Sequence, residues 1–101
     1  MRARILIAED DTTSRTLLAS ALTNAGYAAT EAPDGESALA LLPEGEFDLI
    51  LTDIRMRRVD GLQVLAAARA MARPPAVILL TGYGSLESAV AALRHGAADY
   101  L

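Results

Sequence analysis

Phe47-Asp48-Leu49-Ile50-Leu51-Thr52-Asp53-Ile54-Arg55-Met56-Arg57-Arg58-Val59-Asp60-Gly61 is the stretch on which the fold turns. Its apolar run, Leu49 to Leu51, has the continuous hydrophobicity of a buried parallel strand. The run stops at a carboxylate, Asp53, a polar loop follows, and Asp60-Gly61 opens a helical pattern. Open α/β folds place their chemistry just outside the carboxyl ends of strands. Asp53 is therefore a candidate reactive group. On this stretch alone it is equally a loop aspartate that starts a turn, and the remainder of the chain has to decide.

Working outward, the same unit recurs. Ile5-Leu6-Ile7-Ala8 is a second apolar run, read as a central strand, and it ends in Glu9-Asp10-Asp11. Thr12 or Thr13 is expected to cap the helix that follows, in which Leu17, Leu18, Ala21, Leu22 and Ala25 recur at helical spacing. Gly26 is placed to close it. Tyr27 to Ala32 is a weaker strand, polar enough for a sheet edge. Asp34 caps a second helix with an apolar stripe of Ala38, Leu39, Leu41 and Leu42, expected to end at Pro43-Glu44-Gly45. Beyond Gly61, Leu62, Val64, Leu65 and Ala68 mark a third helix running to about Ala72, which Pro74-Pro75 blocks.

Ala76 to Leu80 is a fourth apolar strand ending at Thr81. Gly82-Tyr83-Gly84 is a loop, without the third glycine of a dinucleotide fingerprint, and Ser85 is a cap. A fourth helix follows on Ala89, Val90, Ala92 and Leu93, closed by Gly96. Asp99-Tyr100-Leu101 begins a fifth strand. Strand and helix thus alternate through short connections, which means βαβ units: a parallel sheet with helices on both faces.

Composition agrees with one globular α/β domain. The chain has 101 residues, 52% of them hydrophobic and 22% charged. A formal net charge of −4 argues against direct nucleic-acid binding. There is no cysteine, hence neither disulfide framework nor thiolate metal site, and a cytoplasmic location is expected. The N-terminal apolar run is far too short for a signal peptide, and no stretch approaches the roughly 20 apolar residues of a membrane span. All nine basic residues are arginine.

In a parallel sheet the strand carboxyl ends share one edge. If strands one, three and four are neighbours, Glu9, Asp10, Asp11, Asp53 and Thr81 converge. Crowded carboxylates with no basic residue among them repel, and a hard divalent cation relieves that; Mg²⁺ binds through one or two carboxylates, waters and phosphate oxygens. Such a pocket suits phosphoryl transfer to a carboxylate, with Thr81 hydrogen-bonding a phosphoryl oxygen. The plainer alternative is that Asp10 and Asp11 only cap a helix.

Glu9-Asp10-Asp11 after Ile-Leu-Ile-Ala, Thr52-Asp53-Ile54-Arg55-Met56 with Asp60-Gly61 following, Leu80-Thr81-Gly82, and Gly96-Ala97-Ala98-Asp99-Tyr100, in that order and spacing, resemble the receiver domain of bacterial two-component response regulators over the whole chain. The resemblance implies a flavodoxin-like three-layer fold, strand order 2-1-3-4-5, over residues 1–101, incomplete at the C-terminus with the last strand and helix largely missing. It implies that Asp53 is the phosphoacceptor. Asp10 and Asp53 ligate Mg²⁺ directly, Glu9 acts mainly through water, and the backbone carbonyl of Arg55 is a further ligand. Thr81 is the switch hydroxyl and Tyr100 the switch aromatic. The implied function is a phosphorylation-controlled switch charged by a histidine kinase and acting on an effector domain or protein, with transcription regulation as its setting. Self-association through the fourth helix and C-terminal face is implied as well. The only catalysis implied is its own phosphorylation and dephosphorylation.

Two departures qualify the resemblance. Receivers usually carry proline after the methionine of this loop; here Arg57 stands there, followed by Arg58. Loss of proline removes a local restraint. Both arginines are read as solvated surface residues in preference to phosphate contacts. The family also places a lysine at the close of strand five, just beyond Leu101, and this chain contains none. With strand five barely begun, strand four is expected to be left as a sheet edge. His95 is expected at a helix end, without a phosphoryl role. Tyr83 and Arg55 occupy positions that the resemblance links to water access, and for Tyr83 a plain loop role fits equally. Two other functions remain on the same fold: an interaction domain that is never phosphorylated, and a Mg²⁺-dependent hydrolase with an aspartate nucleophile. The latter normally has a general acid two residues after the nucleophile, and here that position is Arg55.

Overall fold

A computed structural model describes residues 2–80 and, as backbone, residues 99–100. The strands are β1 (Arg4–Ala8), β2 (Ala28–Ala32), β3 (Leu49–Asp53), β4 (Ala76–Leu80) and β5 (Asp99–Tyr100). The helices between them are α1 (Thr12–Asn24), α2 (Gly35–Gly45) and α3 (Gly61–Arg69). All pairings are parallel and the order is β2-β1-β3-β4-β5, the expected doubly wound arrangement. β5 pairs Asp99 with Ile78 and Tyr100 with Leu79, so the expectation that β4 would be a bare edge is corrected: two residues of β5 suffice to cover its middle.

Period-two alternation on the central strands feeds two cores. Leu6, Ala8, Ile50, Val77 and Leu79 meet Ala38 and Leu42 of α2 and Val64, Leu65 and Ala68 of α3. On the other face Ile5, Ile7 and Leu51 meet Leu18, Ala19 and Leu22 of α1. β1 and β3 are thus apolar on both faces, as buried parallel strands must be, whereas the edge strand β2 carries the exposed Glu31.

Two helix boundaries differ from the sequence reading. Asp11, not Thr12 or Thr13, caps α1: its backbone is extended and its carboxylate accepts the Ser14 N–H at 2.8 Å. A charged acceptor at the positive end of the helix dipole outdoes a hydroxyl. α2 ends at Gly45, within the expected Pro43–Gly45 stop, with Pro43 still helical and Glu46 turning left-handed at φ 46°. Pro43 forfeits one intrahelical hydrogen bond, and burial of Leu42 helps to offset the loss. α3 ends at Arg69 rather than near Ala72, because the Ala70 and Met71 N–H groups fold back onto the carbonyls of Ala66, Ala67 and Ala68 in a tightened turn. The other boundaries among the described residues agree with the reading. Gly26, at φ 97°, closes α1 with the paired bonds Tyr27 N to Leu22 O and Gly26 N to Thr23 O. Asp34 and Asp60 cap α2 and α3, the latter reciprocally with Gln63.

Candidate functional site

The site is built by register. Ala8 of β1 pairs with Thr52 of β3, so the next residues along, Glu9 and Asp53, leave the sheet side by side. Asp53 in turn pairs with Leu80, the last residue of β4. Asp10 follows Glu9 onto the same edge. One carboxylate oxygen from each of Glu9, Asp10 and Asp53 lies within 4.8 Å of the other two. Glu9 and Asp53 are buried and Asp10 is exposed at the mouth.

Backbone contacts hold the three in place. The Glu9 N–H donates to the Ala32 carbonyl of β2, and the Glu9 carboxylate accepts the Asp11 N–H at 3.0 Å. The Thr52 hydroxyl donates to the Asp53 carbonyl at 3.0 Å. Behind Asp53 the chain turns, and Gly61 N–H, at the start of α3, closes onto the Ile54 carbonyl at 2.8 Å. A Cβ at Gly61 would collide with the Asp53 carbonyl, so only glycine lets α3 start this close to the acid.

The electrostatics are unfavourable by construction. Burial pushes the Asp53 carboxyl above its ordinary range, and the Asp10 charge adds to the shift; the N–H groups of Arg55 and Ile54 and a hydrogen bond with Glu9 pull the other way. Glu9 is raised too, first by burial, then by the charges of Asp53 and Asp10 and a hydrogen bond with Asp10, against the opposing Asp11 N–H. Among the described residues no arginine pairs with any of the three carboxylates. Two buried acids and a third beside them, all hard oxygen donors and none paired with a base among the described residues, fit a small divalent cation better than a softer metal. Asp11 points away into its cap, which lowers its pKa through the Ser14 hydrogen bonds.

An open cavity of about 440 Å³ flanks this cluster, walled by Asp10, Pro33, Asp34, Glu36, Arg57 and Arg58. Arg58 is exposed, takes a left-handed φ of 65° and pairs with Glu36 at 3.1 Å, the surface role expected for it. Arg57 is exposed on the same wall. Thr81, Tyr83, the fourth helix and His95 lie outside the described residues, as does the side chain of Tyr100.

Sequence reasoning missed one residue. Arg15, on the first turns of α1, donates from Nη1 to the Glu9 carbonyl at 2.9 Å and pairs through Nε with Glu31 of β2 at 3.3 Å. The available signal was its place one helical turn after Asp11, on the face returning to the acid run.

A family model for the response regulator receiver domain matches residues 5–101. The chain is 40% identical over 97 residues to the transcriptional regulatory protein ZraR of Escherichia coli K12, covering 96% of this chain and 22% of that protein. It therefore spans about a fifth of the length of such curated relatives. Among solved structures, a CheY-like response regulator receiver domain protein from Methanospirillum hungatei superposes with TM-score 0.91 at 34% identity, covering all of this chain and 81% of that one. A response regulator protein from Burkholderia pseudomallei, crystallised with a phosphorylated aspartic acid, calcium ion and citrate, superposes with TM-score 0.88 at 30% identity, covering 98% of this chain and 58% of that one. With strand order, acid edge and family match in agreement from β1 to β5, the chain belongs to the response regulator receiver domain family.

Proposed function

We propose that this domain is a phosphorylation-controlled switch in which Asp53 accepts a phosphoryl group with Mg²⁺ bound beside it. The observation that carries the reading is the convergence of Glu9, Asp10 and Asp53 within 4.8 Å at one sheet edge with no basic partner among the described residues. Asp10, Asp53 and the Arg55 backbone carbonyl would hold the ion, with Glu9 acting mainly through water. When bound, the cation supplies charge neutralisation for the carboxylates and for an incoming phosphoryl group.

Asp53 does the chemistry. Its carboxylate oxygen forms a bond to phosphorus as the bond from phosphorus to the donor breaks. From a phosphohistidine the leaving imidazole nitrogen takes its proton from water. The Ile54 N–H bond to the Leu80 carbonyl at 3.3 Å ties the residue after Asp53 to β4 and so steadies the acid for attack. Thr81 then moves toward the phosphoryl oxygens and Tyr100 turns inward, biasing a two-state equilibrium. The donor is a histidine kinase and the readout an effector domain or protein, with transcription control the setting because the matched relatives are transcriptional regulators. Self-association through the fourth helix and C-terminal face would carry the change, in the cytoplasm. The phosphorylated aspartate and calcium ion of the Burkholderia relative support both the acceptor and the cation.

The test uses the full-length protein with acetyl phosphate. Phosphorylation should require Mg²⁺ and should vanish in Asp53→Asn. Acid-stable label persisting in that variant would overturn the assignment.

A further inference from the structure

The Glu9 carbonyl belongs to the peptide that joins Glu9 to Asp10, so whatever holds that oxygen fixes the direction in which Asp10 leaves the strand. Arg15 Nη1 holds it at 2.9 Å. The same guanidinium is anchored from the far side by Glu31 at 3.3 Å, and the Arg15 side chain is only 14% exposed. Three crowded acids push one another apart, and Asp10, the exposed member, has the most freedom to swing out. We propose that Arg15 is a positioning residue for the cation site. By clamping the Glu9–Asp10 peptide to β2, it keeps the Asp10 carboxylate aimed into the cluster before any cation arrives. This rests on the Mg²⁺ reading above and deepens it.

The geometry requires arginine. The carbonyl and the carboxylate are reached from two separate nitrogens of one rigid plane, Nη1 and Nε, whereas an ammonium has a single nitrogen to share between them. The charge stays off the three site carboxylates because it is directed to Glu31 and a backbone oxygen, so Arg15 orders the acids without competing with the cation for them. The second anchor, the Glu9 N–H to Ala32 carbonyl bond, ties the same residue to the same edge strand. Arg15 N–H also donates to the Asp11 carbonyl at 2.9 Å, so helix and clamp share one residue. The clamp is thus built into the first turn of α1.

The experiment is a Mg²⁺ titration of the full-length protein followed by backbone chemical shifts, with amide exchange of the Glu9–Asp11 segment measured in chelator. Arg15→Ala should weaken Mg²⁺ about 10-fold, the scale of losses when a ligand's supporting partner is removed. It should also speed exchange at the Glu9 and Asp11 amides selectively in metal-free protein. Arg15→Lys should recover only part, and Glu31→Gln should weaken Mg²⁺ in the same direction by less. A merely structural Arg15 would lower the melting temperature and leave Mg²⁺ affinity of the folded protein unchanged; affinity within about twofold of wild type in Arg15→Ala would overturn the proposal. Should Arg15→Ala not fold, unchanged affinity in both Arg15→Lys and Glu31→Gln overturns it equally. Asp10→Asn is the control: if it binds Mg²⁺ like wild type, or wild type shows no titration, the metal reading itself fails and takes the clamp with it.

Discussion

Gly61 sits against the backbone of Asp53: a Cβ built on the glycine would run into the Asp53 carbonyl and crowd the Ile54 Cα. The start of α3 and the candidate phosphoacceptor are therefore a single packed unit. Gly61→Ala should force the two apart, at a cost of about 1–3 kcal/mol by the usual scale for overpacking. The glycine is helical and free of positive φ, so backbone strain contributes nothing and sterics carry the whole effect. Urea unfolding in chelator would measure the loss. Phosphorylation by acetyl phosphate should fall along with stability. A Gly61→Ala protein as stable as wild type would show that the contact relaxes freely.

Adjacent acids in one run should separate cleanly by role. Asp10 joins the cluster, whereas Asp11 caps α1 and accepts from Ser14 N–H. Asp10→Asn should weaken Mg²⁺ binding and leave helix stability nearly intact. Asp11→Ala should do the reverse, lowering the melting temperature with little change in Mg²⁺ affinity, while Asp11→Ser should restore most of the cap. Circular dichroism melts and a Mg²⁺ titration on the same three proteins would settle the pairing. Equal metal effects from both positions would mean that Asp11 also faces the ion.

The legible part of this molecule was whatever depends on strand ends. Apolar runs at Ile5 and Leu49 stop at acids, and parallel pairing then has no choice but to bring Glu9 and Asp53 together. Helix ends were less legible because several residues compete for each boundary: Asp11 outdid Thr12, and the turn bonds of Ala70 and Met71 closed α3 short of Ala72. Arg15 was legible only by its place one turn after Asp11, and its partner not at all. Its role depends on Glu31, which lies 16 positions away and becomes a neighbour only when β2 joins the sheet. A long-range polar contact to a backbone oxygen leaves no periodic trace in the sequence.

Arg58 offers a test of the loop that lacks the family's usual proline. Its φ of 65° is left-handed, and its ion pair with Glu36 is solvent-exposed. Left-handed backbone costs a non-glycine residue about 1–2 kcal/mol, and an exposed pair returns about 0–1 kcal/mol. Arg58→Asn, a residue that tolerates this region, should therefore be neutral to mildly stabilising. Phosphorylation rates should change little, because Arg58 pairs with Glu36 across the cavity wall and with none of the three site acids. A marked loss of stability would mean that the Glu36 pair is worth more than its exposure allows; a marked loss of phosphorylation would bring Arg58 into the site.

Metal-free stability should depend on pH in a way that identifies the site. Asp53 and Glu9 both have pKa values raised on folding, chiefly by burial. An acid whose folded pKa is raised binds protons more readily in the folded state, so its contribution is most favourable at low pH and is lost as pH rises through that raised value. Asp11 and Asp34 act oppositely: their folded pKa values are lowered by cap hydrogen bonds, so their contribution is present at neutral pH and is lost as pH falls through them. Asp53→Asn removes one buried charge and its repulsion with Asp10, and leaves the caps alone. In chelator the variant should therefore be more stable than wild type near neutral pH, each kcal/mol gained raising the midpoint by ~4–8 °C for a domain of this size. The gap should shrink as pH falls into the carboxylate range, where the wild-type acid is protonated anyway. On the proposed Mg²⁺ site, saturating Mg²⁺ should close or invert the gap at neutral pH, because the wild-type carboxylate would hold the ion more tightly than the amide. Melting curves of the two proteins across the acid-to-neutral range, with and without Mg²⁺, would check both steps. A gap that stays constant with pH would show that Asp53 is already solvated and paired, and that the crowding of Glu9, Asp10 and Asp53 does not govern this edge of the sheet.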